Sequence, residues 1–426
     1  MRVLVVGGGG REHALVWRLA QNPTLERLFA APGNPGIARD ATCIPIRADD
    51  VPGLLDLVER ERIDLTVVGP EAPLVAGLAD ALLERGQRVF GPTRDAARIE
   101  GSKAWAKERC LRHEVPTGRA VVVDSMAEAT DALEAFDPPY VIKADGLAAG
   151  KGVVIAVDRP AAVRALEACL VERAFGGAGS RVLVEEHLSG PEVSAFALTD
   201  GRDVLPLAMA QDFKRVGDGD VGPNTGGMGA YSPVPFVDRQ TEERIWEEIL
   251  RRTVTAMASE GVPYRGVLYA GIMLTDDGPK VLEFNCRFGD PEAQVLMPRL
   301  RSDPLELFLA CAEGNLRPYR AILSPEACVT VVLASGGYPD AHATGVPVRG
   351  LSEADAVPGV IVFHSGTAEE QGRVVTSGGR VLSVSGRGAD LAEARARAYE
   401  ACARIAFEGM HYRNDIGARA TGEGRG

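Results

Sequence analysis

The sequence predicts an α/β and α+β multidomain protein, with a doubly wound parallel sheet first, a two-lobed middle and a strand-rich C-terminal domain. Three observations carry this expectation. At 426 residues the chain exceeds what one hydrophobic core ordinarily serves. The first hundred residues alternate short apolar runs with amphipathic ones, the βαβ rhythm of a parallel sheet. After Gly101 that rhythm gives way to closely spaced strands, and after Leu316 strands dominate. Units are therefore expected at 1–101, 102–316 and 317–426, the middle one divided into lobes of about 120–190 and 191–316.

In the first unit RVLVVG reads as a strand, 11–21 as an amphipathic helix and LERLFAA as a second strand. A helix over 52–61, the strand DLTVVG, a helix over 74–85 and the strand QRVFG complete it. The middle opens with a helix over 103–112. The strands AVVV (120–123), YVIKAD (140–145), VVIAV (153–157) and RVLVEEHL (181–188) follow, with helices at 125–136 and 159–173 between them. EVSAFALTD begins a second α+β run, with a long loop over 212–233, a helix over 241–259 and strands at 266–274 and 280–288. RPYRAILSPEA marks a boundary, beyond which VTVVLA, VIVFH, RVVT and RVLSVSG are strands and 391–407 is a helix.

Composition narrows the function. A net charge of −12 and a pI near 5.2 oppose a nucleic-acid partner, which requires a basic surface. Seven scattered cysteines with no CxxC pair indicate reduced thiols rather than a disulfide framework or a zinc site. The apolar run in MRVLVVGGGGREHA is too short for a signal-peptide core or a membrane span, so a cytoplasmic location and no membrane partner are expected. Only six of the 47 basic residues are lysines, so a lysine inside a glycine-rich or strand-end motif suggests a need for a compact ammonium. Lys107 and Lys280, outside such motifs, read as incidental.

The chemistry concentrates in VLEFNCRFGDPEAQ (281–294). Strict alternation puts Val281, Glu283, Asn285 and Arg287 on one strand face and Leu282, Phe284, Cys286 and Phe288 on the other. A carboxylate, an amide oxygen and a guanidinium then follow at steps of roughly 7 Å. Oxygen ligands suit Mg²⁺, which keeps waters and leans on substrate phosphates. A solvated strand face with a Glu–Arg pair is the bland alternative. The turn GDPE adds the carboxylates of Asp290 and Glu292.

Glycine-rich segments supply anion sites. GLAAGKG (146–152), between two strands, reads as a hairpin flap whose amides cover phosphates, with Lys151 at its tip and Lys143 on the strand before it. It is not a Walker A loop, lacking the spacing, the Ser/Thr and the following helix. GGGGREH follows a strand and opens a helix, placing amides and Arg11 where a phosphate can sit. As a dinucleotide fingerprint it fails at Glu12, which stands in place of the third glycine. QDFKRVGDGDVGPNTGGMGAYSP begins with the charged Asp212, Lys214 and Arg215, and a loop of this length is ordinarily functional.

Together these motifs resemble the ATP-grasp superfamily and, within it, the glycinamide ribonucleotide synthetases. The resemblance runs from MRVLVVGGGGREHAL and APGN through GPEAPL, EGSKAWAK, IKADGLAAGKGV, NTGGMGAYSP and RFGDPEAQ to ASGGYP, FHSGT and YRNDIG. It implies an N-terminal pre-ATP-grasp domain, a two-lobed ATP-grasp domain and a C-terminal domain. It also implies a monomer that joins glycine to 5-phosphoribosylamine with ATP, through a glycyl phosphate. By the resemblance Glu283 and Asn285 bind Mg²⁺ or Mn²⁺, while Lys103, Lys143, Gly150 and Lys151 contact ATP phosphates. Glu185, Glu186, His187 and Leu188 form the adenine hinge, and Glu192 takes the ribose hydroxyls. Lys214 and Arg287 stabilise the transferring phosphoryl group. Asp212, Gly289 and Asp290 seat glycine, and Gly9, Gly10, Arg11, Asn34 and Glu71 hold phosphoribosylamine. Many relatives carry another metal-binding glutamate on the preceding strand; Gly271 stands near that place here, implying fewer protein ligands. Another purine-pathway ATP-grasp ligase, a nicotinamide-dependent oxidoreductase and a non-catalytic nucleotide module remain as alternatives.

Overall fold

A computed structural model of the chain describes residues 1–146, 152–174 and 176–422. In chain order the N-terminal strands are β1 (Arg2–Gly7), β2 (Arg27–Pro32), β3 (Thr42–Cys43), β4 (Leu65–Val68) and β5 (Val89–Phe90). They form one parallel sheet in the order β3-β2-β1-β4-β5. Val3 to Val6 have no exposed surface, as expected of a strand covered on both faces. The strand order reverses at β1. A crevice therefore opens beyond the carboxyl ends of β1, β2 and β4, where Gly9–Arg11, Asn34 and Glu71 are found. The short edge strand β3 has no counterpart in the sequence expectation. The helix read over 74–85 breaks at Gly77, whose φ of +93° suits glycine, into Glu71–Ala76 and Leu78–Glu84.

The small lobe is an antiparallel sheet of β6 (Ala120–Val123), β7 (Tyr140–Ala144), β8 (Val153–Ala156) and β9 (Val182–Glu186), ordered β6-β9-β7-β8. It carries its own core around Ile142, Leu166 and Val184. Residues 147–151 lie outside the described residues, so the readings of Gly150 and Lys151 do too.

The remaining strands are β10 (Glu192–Asp200), β11 (Val204–Asp212), β12 (Arg215–Gly217), β13 (Val221–Asn224), β14 (Gly229–Ser232), β15 (Arg265–Thr275), β16 (Gly278–Asn285), β17 (Ala327–Ala334), β18 (Val360–His364), β19 (Thr367–Glu370), β20 (Arg373–Thr376) and β21 (Arg380–Gly388). Eight of them make one antiparallel sheet in the order β16-β15-β10-β11-β14-β17-β21-β18. The sheet crosses residue 317 without a break, because β14 pairs with β17 from Gly229↔Val331 to Ser232↔Cys328.

The long loop expected over 212–233 is instead the hairpin β12–β13 followed by β14. Its glycines serve tight turns rather than disorder. The C-terminal YRNDIG clasps this hairpin. Arg413, 0% exposed, pairs with Asp220 at 2.8 Å and Asp415 at 2.6 Å, and Asn414 donates from its backbone to Asp218. All seven cysteines are free thiols, and among the described residues no helix is long and apolar enough to cross a membrane.

Candidate active site

β16 is the wall on which the site is built. Glu283 faces Gly271 across the ladder and Asn285 faces Tyr269, so the carboxylate and the amide share one face as the alternation implies. Val281 does not join them. A register shift between Gly271 and Ile272 lets β16 gain a residue at Leu282. Val281 turns into the core, 3% exposed, beside Phe284 and Cys286. The strand ends at Asn285, so Arg287 projects from the turn beyond it.

Four cations converge on this wall. Lys214 lies 3.8 Å from Glu283 and 2.8 Å from Glu192. Burial works against the charge on Lys214, but Glu192, Asp212 and Glu283 together hold it well above the ordinary lysine range. Burial likewise opposes ionisation of Glu283, and the neighbouring Lys214, Lys143 and Lys103 outweigh it, so its carboxylate stays ionised. Lys103 opens the helix Lys103–Arg112 and donates to the carbonyls of Ala144 (3.2 Å) and Gly146 (2.9 Å). Lys143 donates to the Leu282 carbonyl, exposed by the bulge, at 2.9 Å. Arg287 pairs with Glu71 at 3.1 Å and Glu100 at 3.0 Å.

These cations and Glu283 suit a polyanion accompanied by a hard cation. Glu283 and Asn285 offer oxygen donors on one face, and Lys214 stands 3.8 Å from the Glu283 carboxylate. Among the described residues no group of three His, Cys, Asp or Glu side chains is placed to hold a metal alone. Phosphate oxygens and water would complete such a shell.

Asp212 ends β11 within the carboxylate group formed with Glu192, Glu283 and Glu292. Burial first, then Glu292, Glu192 and Glu283, push its carboxyl up to about 7 against the pull of Lys214. A carboxyl raised in the folded state binds a proton there that the unfolded chain has released. Its contribution to stability is complete below the ordinary carboxylate range and is lost as pH rises through about 7. Thermal melting from pH 4.5 to 8.5 should therefore show a decline that levels off above about pH 7 and that Asp212→Asn lacks. A decline of equal size in the Asn variant would refute the assignment.

The other readings fall into two groups. Glu192 pairs with Lys214, and Glu186 with Arg119, through their side chains. His187 and Leu188 lie between β9 and β10, where the small lobe joins the eight-stranded sheet. Gly289 packs on Glu292, and Asp290 accepts from Gln294 at 2.7 Å while facing Arg380 at 3.4 Å. At the N-terminal crevice protein groups already engage much of the surface. Glu12 accepts from the Gly9 amide at 2.7 Å and pairs with Arg11 at 2.5 Å. Its carboxylate lies beneath Gly7, Gly9 and Gly69, filling the space a dinucleotide fingerprint leaves open. Gly10 lies against Gln294 and Ser365. Asn34 donates to the carbonyls of Gly8 and His364 and accepts from Gly36 and Ile37, all at 2.9 Å, so its amide is fully used by the fold.

Three site residues escaped the sequence reading. Glu100, 8% exposed, joins Arg287 to the backbone of Cys286. Arg380, from the C-terminal region, donates to the carbonyls of Gly226 and Asp290 at 2.6 Å each, stapling the glycine-rich segment to the GDPE turn. Lys107, read as incidental, is 6% exposed and pairs with Glu185, so that reading is overturned.

Comparison with known proteins agrees with this architecture. The chain matches the phosphoribosylglycinamide synthetase N domain over residues 1–100, its ATP-grasp (A) domain over 101–293 and its C domain over 328–419. Phosphoribosylamine–glycine ligase of Vibrio parahaemolyticus is 49% identical over 423 residues, covering 99% of this chain and 98% of its own. That of Brucella melitensis is 50% identical over 420 residues, with the same coverage. The crystal structure of phosphoribosylamine–glycine ligase from Thermotoga maritima, 36% identical, covers 98% of this chain and 100% of its own with a TM-score of 0.87. The chain belongs to the phosphoribosylglycinamide synthetase family.

Proposed function

We propose that this chain is the phosphoribosylamine–glycine ligase of purine biosynthesis. It joins glycine to 5-phosphoribosylamine and converts ATP to ADP and phosphate. The observation that carries the reading is the ring of Lys103, Lys143, Lys214 and Arg287 around the ionised Glu283, in a chain matching all three domains of the family. A glycine carboxylate oxygen attacks the γ-phosphorus of ATP and ADP departs. The amine of phosphoribosylamine then attacks the acyl carbon of glycyl phosphate, releasing phosphate and a proton. Neither step requires a protein nucleophile, so the chain contributes positioning and charge.

The units are read as 1–101, 102–316 and 317–426. Lys103 and Lys143, with Gly150 and Lys151 of the flap, meet the phosphates. The hinge 185–188 borders adenine, and Glu192 the ribose. Mg²⁺ or Mn²⁺, held by Glu283 and Asn285, would supply charge neutralisation at the phosphates. Lys214 and Arg287 face the transferring group. Glycine's ammonium, arriving beside Asp212, would draw that carboxyl back toward its ionised form. Gly9, Gly10, Arg11 and Glu71 border phosphoribosylamine, with Asn34 shaping the crevice from behind. The chain is read as a cytoplasmic monomer acting on small molecules, and its net charge of −12 supports the exclusion of nucleic acid.

Coupled measurement of ADP release with Mg-ATP, glycine and freshly made phosphoribosylamine tests the assignment. Release should require both acceptors. Equal release with either one omitted would overturn it.

A further inference from the structure

Lys107 is assigned no contact with substrate, yet it sits in a buried charge cluster that includes a nucleotide-facing lysine. Its ammonium donates to Thr117 Oγ1 at 2.7 Å and the Gly118 carbonyl at 3.1 Å, and pairs with Glu185 Oε1 at 3.2 Å. Those contacts engage all three N–H groups, and the side chain is 7% exposed. Lys107 therefore has no donor left with which to reach a ligand.

The other oxygen of Glu185 holds Lys143, at 2.7 Å. Val141 faces Glu185 and Lys143 faces Leu183 in the β7–β9 ladder, so Lys143 and Glu185 are diagonal neighbours on one sheet face. One buried carboxylate thus serves two ammonium groups, one oxygen each. Burial opposes ionisation of Glu185, but Lys143 and Lys107 together keep its carboxyl below the usual range.

We propose that Lys107 is a positioning residue that keeps Glu185 neutralised while Lys143 turns to the phosphates of ATP. This rests on the ATP-site reading above. A buried carboxylate stripped of its only cation is strongly unfavourable, whereas one that retains a partner is not. With Lys107 in place, Lys143 can exchange Glu185 for phosphate and leave a paired charge behind. Without it, ATP must compete against Glu185 for Lys143. Thr117 Oγ1 also donates to the Val281 carbonyl at 2.9 Å, so the same network ties the holding charge to the metal-facing strand.

Steady-state kinetics of four variants test this, with thermal melting to confirm folding. Lys107→Met should raise the KM for ATP by about tenfold, the worth of one charge-assisted hydrogen bond, with kcat and the KM for glycine little changed. Lys107→Arg should restore most of the loss. The double variant Lys107→Met/Glu185→Gln should also recover ATP affinity, because no carboxylate remains to compete for Lys143. A double variant no better than Lys107→Met, or a parallel rise in the KM for glycine, would overturn the proposal. If Lys107→Met does not fold, Lys107→Gln, which can keep the bonds to Thr117 and Gly118 without the charge, decides: its KM for ATP should rise about tenfold, and a wild-type value refutes the mechanism. Calorimetry with a magnesium-bound, non-hydrolysable ATP analogue separates the two readings. Wild-type protein that fails to bind the analogue sinks the nucleotide site itself. Equal binding by wild type and Lys107→Met sinks only the positioning role.

Discussion

Glu283→Gln is expected to lower kcat by roughly 10³-fold while the chain remains folded, an effect of the size seen when one preorganised electrostatic group is removed. The amide keeps the shape of the side chain and removes its charge. Glu283 is the carboxylate facing Lys214, Lys143 and Lys103, and those cations keep it ionised despite burial. Its loss would leave the lysines without their shared counter-charge and Asn285 as the remaining oxygen donor on that face. Adding Mn²⁺ in excess should not restore turnover. A variant that keeps more than roughly a tenth of wild-type kcat would refute the metal role of this carboxylate.

Arg287→Met should have a second kind of effect, losing stability and turnover together. The guanidinium lies 3.1 Å from Glu71 and 3.0 Å from Glu100, and those carboxylates hold it charged against burial. Glu100, 8% exposed, would be the buried charge left uncompensated, and breaking a buried pair in this way typically costs about 3–5 kcal/mol. Denaturant unfolding should register a loss of that order. Arg287→Met/Glu100→Gln should recover part of the stability without recovering activity. If Arg287→Met unfolds at the wild-type denaturant concentration, Glu71 and Glu100 are not the burden proposed here. If the double variant regains turnover, Arg287 has no part in the chemistry.

Local periodicity made much of the fold and part of the site legible. The βαβ rhythm of the first hundred residues corresponds to the five-stranded parallel sheet, and the alternation of 283–285 to the shared face of Glu283 and Asn285. Val281 was misplaced because the bulge arises in the pairing with β15, which one strand's sequence does not display. Glu100, Lys107 and Arg380 were missed for a different reason. Each gains its role from a partner distant in the chain: Arg287, Glu185 and Asp290. The scarcity of lysine and a place at the end of EGSKAWAK are usable signals for Lys107. For Asn34 the surrounding APGN pointed toward a ligand, whereas four protein hydrogen bonds account for the side chain.

The pairing of β14 with β17 also bears on how the chain is made. As the polypeptide leaves the ribosome, β10, β11 and β14 can associate as soon as Ser232 has emerged, but the partner for the outer side of β14 ends only at Ala334. At ordinary synthesis rates that interval lasts roughly 5–20 s. Throughout it the growing chain presents an open row of amides and carbonyls beside the glycine-rich segment that carries Lys214, a template for pairing with another nascent chain. The eight-stranded sheet therefore makes the yield of active protein depend on how quickly translation passes from Ser232 to Ala334.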